Sequence, residues 1–192
     1  MSEAPGAWDG LDEFPTLQTA RLTLRELRDE DAPAAFPLYS DPEATRFVGK
    51  PPHASLDETL ELLRRNQHLH PAGAGVAWGL CLRGEDRFIG YAGHWRLMKQ
   101  HHRSEIGYML LPEHWGVGLM NEALRAILSF GFDRMGLNSV EAQTDPANTR
   151  SQRTLELLGF RQDGLLRESY YFAGEYTDTA VFTLLRREFA SR

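Results

Sequence analysis

The chain reads as a single mixed α/β domain, and three observations lead there. Leu22-Thr-Leu-Arg-Glu-Leu27 alternates apolar and polar residues with a period of two, the pattern of a half-buried strand. Glu105-Ile-Gly-Tyr-Met-Leu-Leu111 is an apolar and aromatic run that stops at Pro112. A turn holding Gly116 and Gly118 follows, and then apolar side chains recur at helical spacing at Leu119, Ala123, Ile127 and Phe130. Finally, helix-capping signals alternate with strand-forming runs along the whole chain. With 192 residues and 42% hydrophobic content, the chain suits one compact domain with a full core.

Element by element, residues 1–19 contain Pro and Gly and form an expected flexible leader. The domain proper spans 20–187, and 188–192 is a tail. After the strand at 22–27, Asp29 to Asp31 supply capping and first-turn acids for a helix through about Ser40. Ser55-Leu-Asp-Glu58 resembles a capping box opening a second helix, Leu56 to about Gln67, which Pro71 to Gly75 breaks. Strands follow at 76–82 and 88–97, separated by the Arg83-Gly-Glu-Asp86 turn, and a further strand occupies 104–111. A long helix covers 116–135, and Ser139 to Thr144 is another strand. Asn148 to Leu158 makes a helix closed by Gly159, and strands at 160–172 and 176–185 finish the chain. The loops around Tyr39 to Pro52 follow no pattern.

Composition narrows the function classes. One cysteine, Cys81, excludes an internal disulfide and fits a reducing cytoplasm. No apolar run approaches the roughly 18 residues of a membrane span, and the acidic N-terminus has no basic n-region, so no signal peptide is expected. A net charge of −6 argues against direct nucleic-acid binding and is compatible with a cationic partner such as an amine or a basic protein tail.

The strand–glycine turn–helix at 105–124 is a phosphate cradle. The glycines let the backbone turn tightly, and the N–H groups of His114 to Leu119 converge at a helix N-terminus. A Walker loop is excluded, because no Lys stands near Gly118. A dinucleotide fingerprint needs a third glycine where Asn121 stands. The longer string Trp115-Gly-Val-Gly-Leu-Met-Asn-Glu-Ala123 resembles the pyrophosphate loop of the GCN5-related N-acetyltransferases (GNAT superfamily), most closely the Rim-type branch that acetylates ribosomal-protein N-termini. The strand and helix order is similar too, over about residues 20–187. The resemblance implies a central, mostly antiparallel twisted sheet with flanking helices and a splay between the fourth and fifth predicted strands (104–111 and 139–144). It also implies acetyl-CoA as co-substrate, its diphosphate on His114, Trp115, Gly116, Val117, Gly118, Leu119 and Asn121. A free N–H within Met109, Leu110 and Leu111 would meet the thioester oxygen. One departure is Glu113, which stands where the family pattern opens with Gln or Arg; the backbone cradle does not depend on it.

Asn148 to Phe160 carries a second resemblance. From the residues alone, Asn148 is a helix cap, Ser151 lies in the first turn and Gly159 is a C-cap. As the second GNAT signature, Asn148 would touch the pantetheine arm and Ser151 would sit near the thioester sulfur. Leu155 occupies the slot where other branches carry a tyrosine acid, which leaves Ser151 as the candidate acid. For the base, the slot of the Rim-type carboxylate holds Tyr170; Glu168 shares its strand face by period two, and Glu105 is the other carboxylate in range. An edge charge paired with Arg96 or Arg103 is an equal reading of Glu105.

Other side chains read as structural. His101-His102 forms a hairpin tip, Cys81 belongs to the core, and Trp78 and Trp95 are core or cleft wall. His94 can line the cleft without being a base, and Asp178 is structural. His68 and His70 lack the spacing of a helical metal pair, and no metal is expected. The implied activity is acetyl transfer from acetyl-CoA to a primary amine, with the α-amine of a protein or peptide N-terminus as expected acceptor. A polyamine or antibiotic amine is the alternative within the class; a CoA-binding module without catalysis is the alternative outside it. A cytoplasmic protein with no membrane partner is expected, and a homodimer is left open.

Overall fold

A computed structural model describes residues 13–189. Its strands form one sheet in the order β1-β2-β3-β4-β5-β6-β8-β7. β1 (Leu17–Gln18) and β2 (Leu22–Glu26) pair at one edge. The chain then leaves the sheet for α1 (Ala32–Ser40), α2 (Pro42–Thr45) and α3 (Leu56–Gln67) before returning in β3 (Val76–Leu82), β4 (Phe88–Met98) and β5 (Arg103–Leu110). α4 (Leu119–Asp133) crosses to β6 (Ser139–Thr144), α5 (Thr149–Leu158) follows, and the hairpin of β7 (Arg161–Phe172) and β8 (Glu175–Leu185) leads into the one-turn α6 (Arg186–Phe189). This is the mixed, mostly antiparallel architecture expected, and the 3.6-residue stripe of α4 is the reason it packs. Leu119, Ala123, Ile127 and Phe130 are all buried, with Phe130 edge-on to Trp78 of β3.

Among the described residues, parallel pairing is confined to β5 and β6, where α4 provides the crossover that parallel neighbours require. That pairing is short. Arg103, Ser104 and Glu105 face Ser139, Val140 and Glu141, and beyond them the two strands part. The splay inferred between the fourth and fifth predicted strands is therefore present, its strands being β5 and β6.

Several expected boundaries shift. Residues 13–19, assigned to a flexible leader, are built into the domain: Leu17–Gln18 pairs with β2, Phe14 packs edge-on to Trp78, and the Trp78 indole donates to the Pro15 carbonyl. Residues 1–12 lie outside the described residues. The expected tail begins inside α6, where Phe189 packs on Phe132. The first helix opens as a 3-10 turn at Asp29–Asp31, because Asp31 is drawn into a buried pair with Arg25 and also accepts from the Arg28 N–H. α2 was not legible in the sequence; Asp41 starts it by accepting from the Glu43 N–H at 2.7 Å. At α3, Ser55 caps Glu58 as expected, but the Glu58 carboxylate reaches the Ala54 N–H, one residue earlier than a capping box requires.

Arg25 is nearly buried. Its guanidinium makes paired contacts of 2.8 and 2.7 Å to Asp31 and a further one of 2.6 Å to Asp86. Every direction of the fork is met by oxygen, the condition for holding a buried charge.

Candidate active site

The splay opens into a cleft of about 600 Å³ that runs through the sheet. Side chains alternate along β5, so its two faces meet different surroundings. Ser104, Ile106, Tyr108 and Leu110 face α4 and α5. Glu105, Gly107 and Met109 face the other way, beside Tyr91 of β4, which stacks on Tyr39 of α1. One mouth of the cleft is lined by Gly116, Gly118, Leu119 and Asn121, the middle by Tyr108, Asn148 and Ser151, and the far side by Ala44, Phe47, Val48, Tyr91 and Glu105.

The cradle is built as a glycine turn must be. Gly116 and Gly118 take φ of 80° and 81°, and Gly118 is the N-cap of α4 with no side chain capping the first-turn amides. The Nδ2 of Asn121 is buried without a hydrogen-bond partner, and Asn121 lines the cleft. An uncapped helix start beside an orphaned donor fits an anionic group, and the diphosphate of CoA has that chemistry. Arg21 braces the turn from behind: its Nε reaches Glu122 at 2.6 Å and a terminal nitrogen donates to the Val117 carbonyl at 2.9 Å. Arg150 lies over the Trp115 ring, 3.9 Å from its centroid.

Of the residues assigned to CoA, Met109, Leu110, His114, Trp115, Gly116, Gly118, Leu119, Asn121 and Asn148 line the cleft. Val117 and Leu111 do not. The Val117 side chain points to solvent, and the Leu111 N–H is engaged by the Ile89 carbonyl of β4 at 2.9 Å. Because N–H directions alternate along a strand, Met109 shares the β4 side with Leu111, whereas Leu110 and Tyr108 turn their N–H groups into the splay. The Leu110 carbonyl on that same side accepts from the Trp115 indole at 2.6 Å.

Among the four catalytic candidates, Ser151 and Glu105 line the cleft; Glu168 and Tyr170 do not. Asn148 caps α5 by accepting from the Ser151 N–H at 3.1 Å, which fixes the serine in the first turn. Its hydroxyl meets Tyr108 Oη at 2.9 Å. Burial pushes the Tyr108 phenol up to about 12, so it stays protonated and able to donate. Tyr108 was not singled out from sequence. The signal it left was a polar-tipped aromatic in an otherwise apolar strand. Leu155 is fully buried in the core. Glu105 bonds Arg96 at 2.9 Å, whereas Arg103 pairs with Glu141. Glu168 lies at a break in the β7–β8 register with φ of +49°, its N–H held by Asp178, and its side chain is exposed. Tyr170 bonds the Gly49 carbonyl instead of facing the cleft.

His94, expected as cleft wall, belongs to the core. Its Nε2 faces the Ile127 carbonyl at 3.0 Å and must carry the hydrogen, so Nδ1 accepts from the Ser104 hydroxyl at 2.8 Å. Burial lowers its pKa to about 4. Cys81 is also buried, its thiol pushed up to about 11.

Comparison with known proteins bears on this geometry. A family model described as acetyltransferase (GNAT) domain matches residues 21–161. YoaA of Bacillus subtilis, an uncharacterized N-acetyltransferase, is 35% identical over 173 residues, covering 90% of this chain and 98% of its own. The [ribosomal protein uS5]-alanine N-acetyltransferase of Escherichia coli is 27% identical over 176 residues, 88% of this chain and 89% of its own. The spermidine N(1)-acetyltransferase of Vibrio cholerae is 23% identical over 173 residues, 90% of this chain and 98% of its own. Two solved structures holding CoA share the fold. One is RimL, a ribosomal L7/L12 α-N-protein acetyltransferase (TM-score 0.81, 18% identity, 89% of this chain and 98% of that one). The other is the spermidine N-acetyltransferase from Vibrio cholerae with CoA and spermine (TM-score 0.78, 22% identity, 90% and 99%). A glycine cradle at a helix start, a cleft where two strands part, and a family model over most of the chain agree: this chain belongs to the GNAT acetyltransferase family and is an N-acetyltransferase that uses acetyl-CoA.

Proposed function

We propose that the acceptor is the α-amine at the N-terminus of a protein or peptide. The observation that carries this reading is the scarcity of negative charge in the cleft. Among the described residues lining it, Glu105 is the single carboxylate, and its partner Arg96 is largely exposed. A polyamine presents several positive charges and needs several carboxylates to replace their hydration. An α-amine, with a reference pKa of about 8, is partly neutral near pH 7.5 and asks for one modest base. The uS5-alanine N-acetyltransferase among the relatives supports the same reading, and the spermidine enzyme supplies the competing one.

Acetyl-CoA supplies an acetyl group already activated as a thioester, so no side chain has to become acetylated. The chain then has three tasks. Leu110 offers its N–H from the splay to the oxygen that gains charge. Glu105 takes the proton that the amine nitrogen sheds as it bonds the acetyl carbon. Ser151, backed by the Tyr108 hydroxyl, gives a proton to the sulfur as the carbon–sulfur bond breaks. Glu168 and Tyr170 receive no proton role, since neither lines the cleft. The deciding measurement compares acetyl transfer to a short peptide with a free N-terminus, the same peptide blocked there but carrying lysine, and spermidine. The free N-terminus should react fastest by at least about ten-fold; a lysine is neutral in only about one molecule in a thousand near pH 7.5. Comparable rates on both peptides, or a faster reaction with spermidine, would overturn the assignment.

A further inference from the structure

Tyr170 crosses from β7 to the loop after α2, and its hydroxyl donates to the Gly49 carbonyl at 2.9 Å. The contact is one of shape as well as polarity. Gly49 has φ of +69°, and a Cβ there would overlap the Tyr170 ring, 2.7 Å from Cζ and 2.8 Å from Oη. Only glycine satisfies both the backbone and the space. Tyr170 is aimed at the loop by the irregularity beside it. Register between β7 and β8 slips between Leu166 and Tyr170, with Glu168 at positive φ tied down by Asp178, and pairing resumes at Tyr170 with Thr177.

The segment held this way carries the apolar wall of the cleft. Phe47 and Val48 directly precede Gly49 and line the cleft with Ala44 and Tyr91, on the face away from α4. Arg46 covers the Phe47 ring at 5.2 Å, and the Val48 N–H is tied to the Thr45 carbonyl at 2.9 Å. Beyond the glycine, the His53 N–H is anchored on the Tyr39 carbonyl at 2.9 Å. The loop is thus fixed at its base, and Tyr170 fixes its middle.

We propose that Tyr170 is a positioning residue for the acceptor: its clasp on Gly49 holds Phe47 and Val48 as a fixed apolar wall that receives the side chain next to the reacting amine. The inference rests on the α-amine reading, and the acceptor class it names is a peptide whose first residue is apolar. A preset wall favours an apolar side chain because ordering it costs nothing at the moment of binding, whereas a loosened loop loses that advantage.

The test uses the full chain with peptides that differ only in their first residue, Leu or Met against Ser or Asp. The parent should favour the apolar residue by about ten-fold in kcat/KM, carried by KM, a size typical of small apolar contacts. Tyr170→Ala and Gly49→Ala should each cut that preference to about two-fold, and Tyr170→Phe, which keeps the ring, should retain part of it. The Kd for CoA should stay unchanged in all three. No preference in the parent, a preference that survives Tyr170→Ala, or an equal fall in kcat on every peptide would overturn the proposal. Amide exchange across residues 46–52 reads the clasp without any acceptor: faster exchange in Tyr170→Phe supports it, and unchanged exchange overturns it. If every peptide is inert while spermidine reacts, the α-amine reading fails, and the exchange result still decides the clasp on its own.

Discussion

Ser151 and Tyr108 meet at 2.9 Å in the cleft, and in the proposed mechanism the two hydroxyls act as one proton-donating unit. Ser151→Ala should lower kcat by about ten- to a thousand-fold with little change in the KM for acetyl-CoA, because a proton given to the leaving sulfur matters mainly in the transition state. Tyr108→Phe should do the same to a similar degree, and the double variant should lose little more than either alone, as groups acting together do. Steady-state kinetics on the three variants checks this. A rise in KM with kcat intact would make Ser151 a cap or a binding group. Such pairings were illegible beforehand for a simple reason. Ser151 was visible because capping chemistry is local, but Tyr108 stands 43 positions away and Tyr170 stands 121 from Gly49. Only the folded sheet brings either pair together.

The start of α4 is where sequence and structure agree most closely, since a glycine turn, a strand end and an apolar helical stripe all lie within about twenty consecutive residues. What the string did not reveal is the brace behind it. Arg21 joins the Val117 carbonyl and Glu122 from about a hundred residues upstream. Gly118→Val should abolish the thermal stabilisation that saturating CoA gives the parent, because φ of +81° is closed to a β-branched residue. Arg21→Ala should weaken CoA binding by only about three- to ten-fold, since the arginine is half exposed and works through the turn's shape. Calorimetric titration separates the two. Undiminished affinity in Arg21→Ala would reduce the brace to a surface ion pair. Glu168 shows the opposite failure of local reading: period two put it on the face of Tyr170, but the register slip in β7 broke the period and left it in solvent.

For the molecule as a whole, the order of strands and helices was legible because capping and periodicity recur in nearly every element. Residues 13–19 were set in the leader and not in the domain because Pro and Gly said nothing of Phe14 and Pro15 meeting Trp78. Global stability should carry the mark of His94, whose folded pKa is depressed to about 4 from an ordinary 6.5. Between those values the unfolded chain binds the extra proton, so the contribution is intact above pH 6.5 and is lost as the pH falls toward 4, with about 2 kcal/mol gone by pH 5. His94→Gln should be less stable than the parent at pH 7.5 and lose less between pH 7.5 and 5 in denaturant titrations; parallel losses would contradict the assignment. The parting of β5 from β6 has a mechanical meaning as well. Chain order follows it: strands from β1 to β5 form one leaf and β6, β8 and β7 the other, welded by the few residue pairs ending at Glu105 and Glu141. Spreading the leaves breaks no ladder, because none exists above that weld. What joins the leaves there is side-chain contact instead: the Tyr108 hydroxyl on Ser151 and the Tyr170 hydroxyl on the Gly49 carbonyl, so the opening of the V is bounded by polar groups and not by backbone.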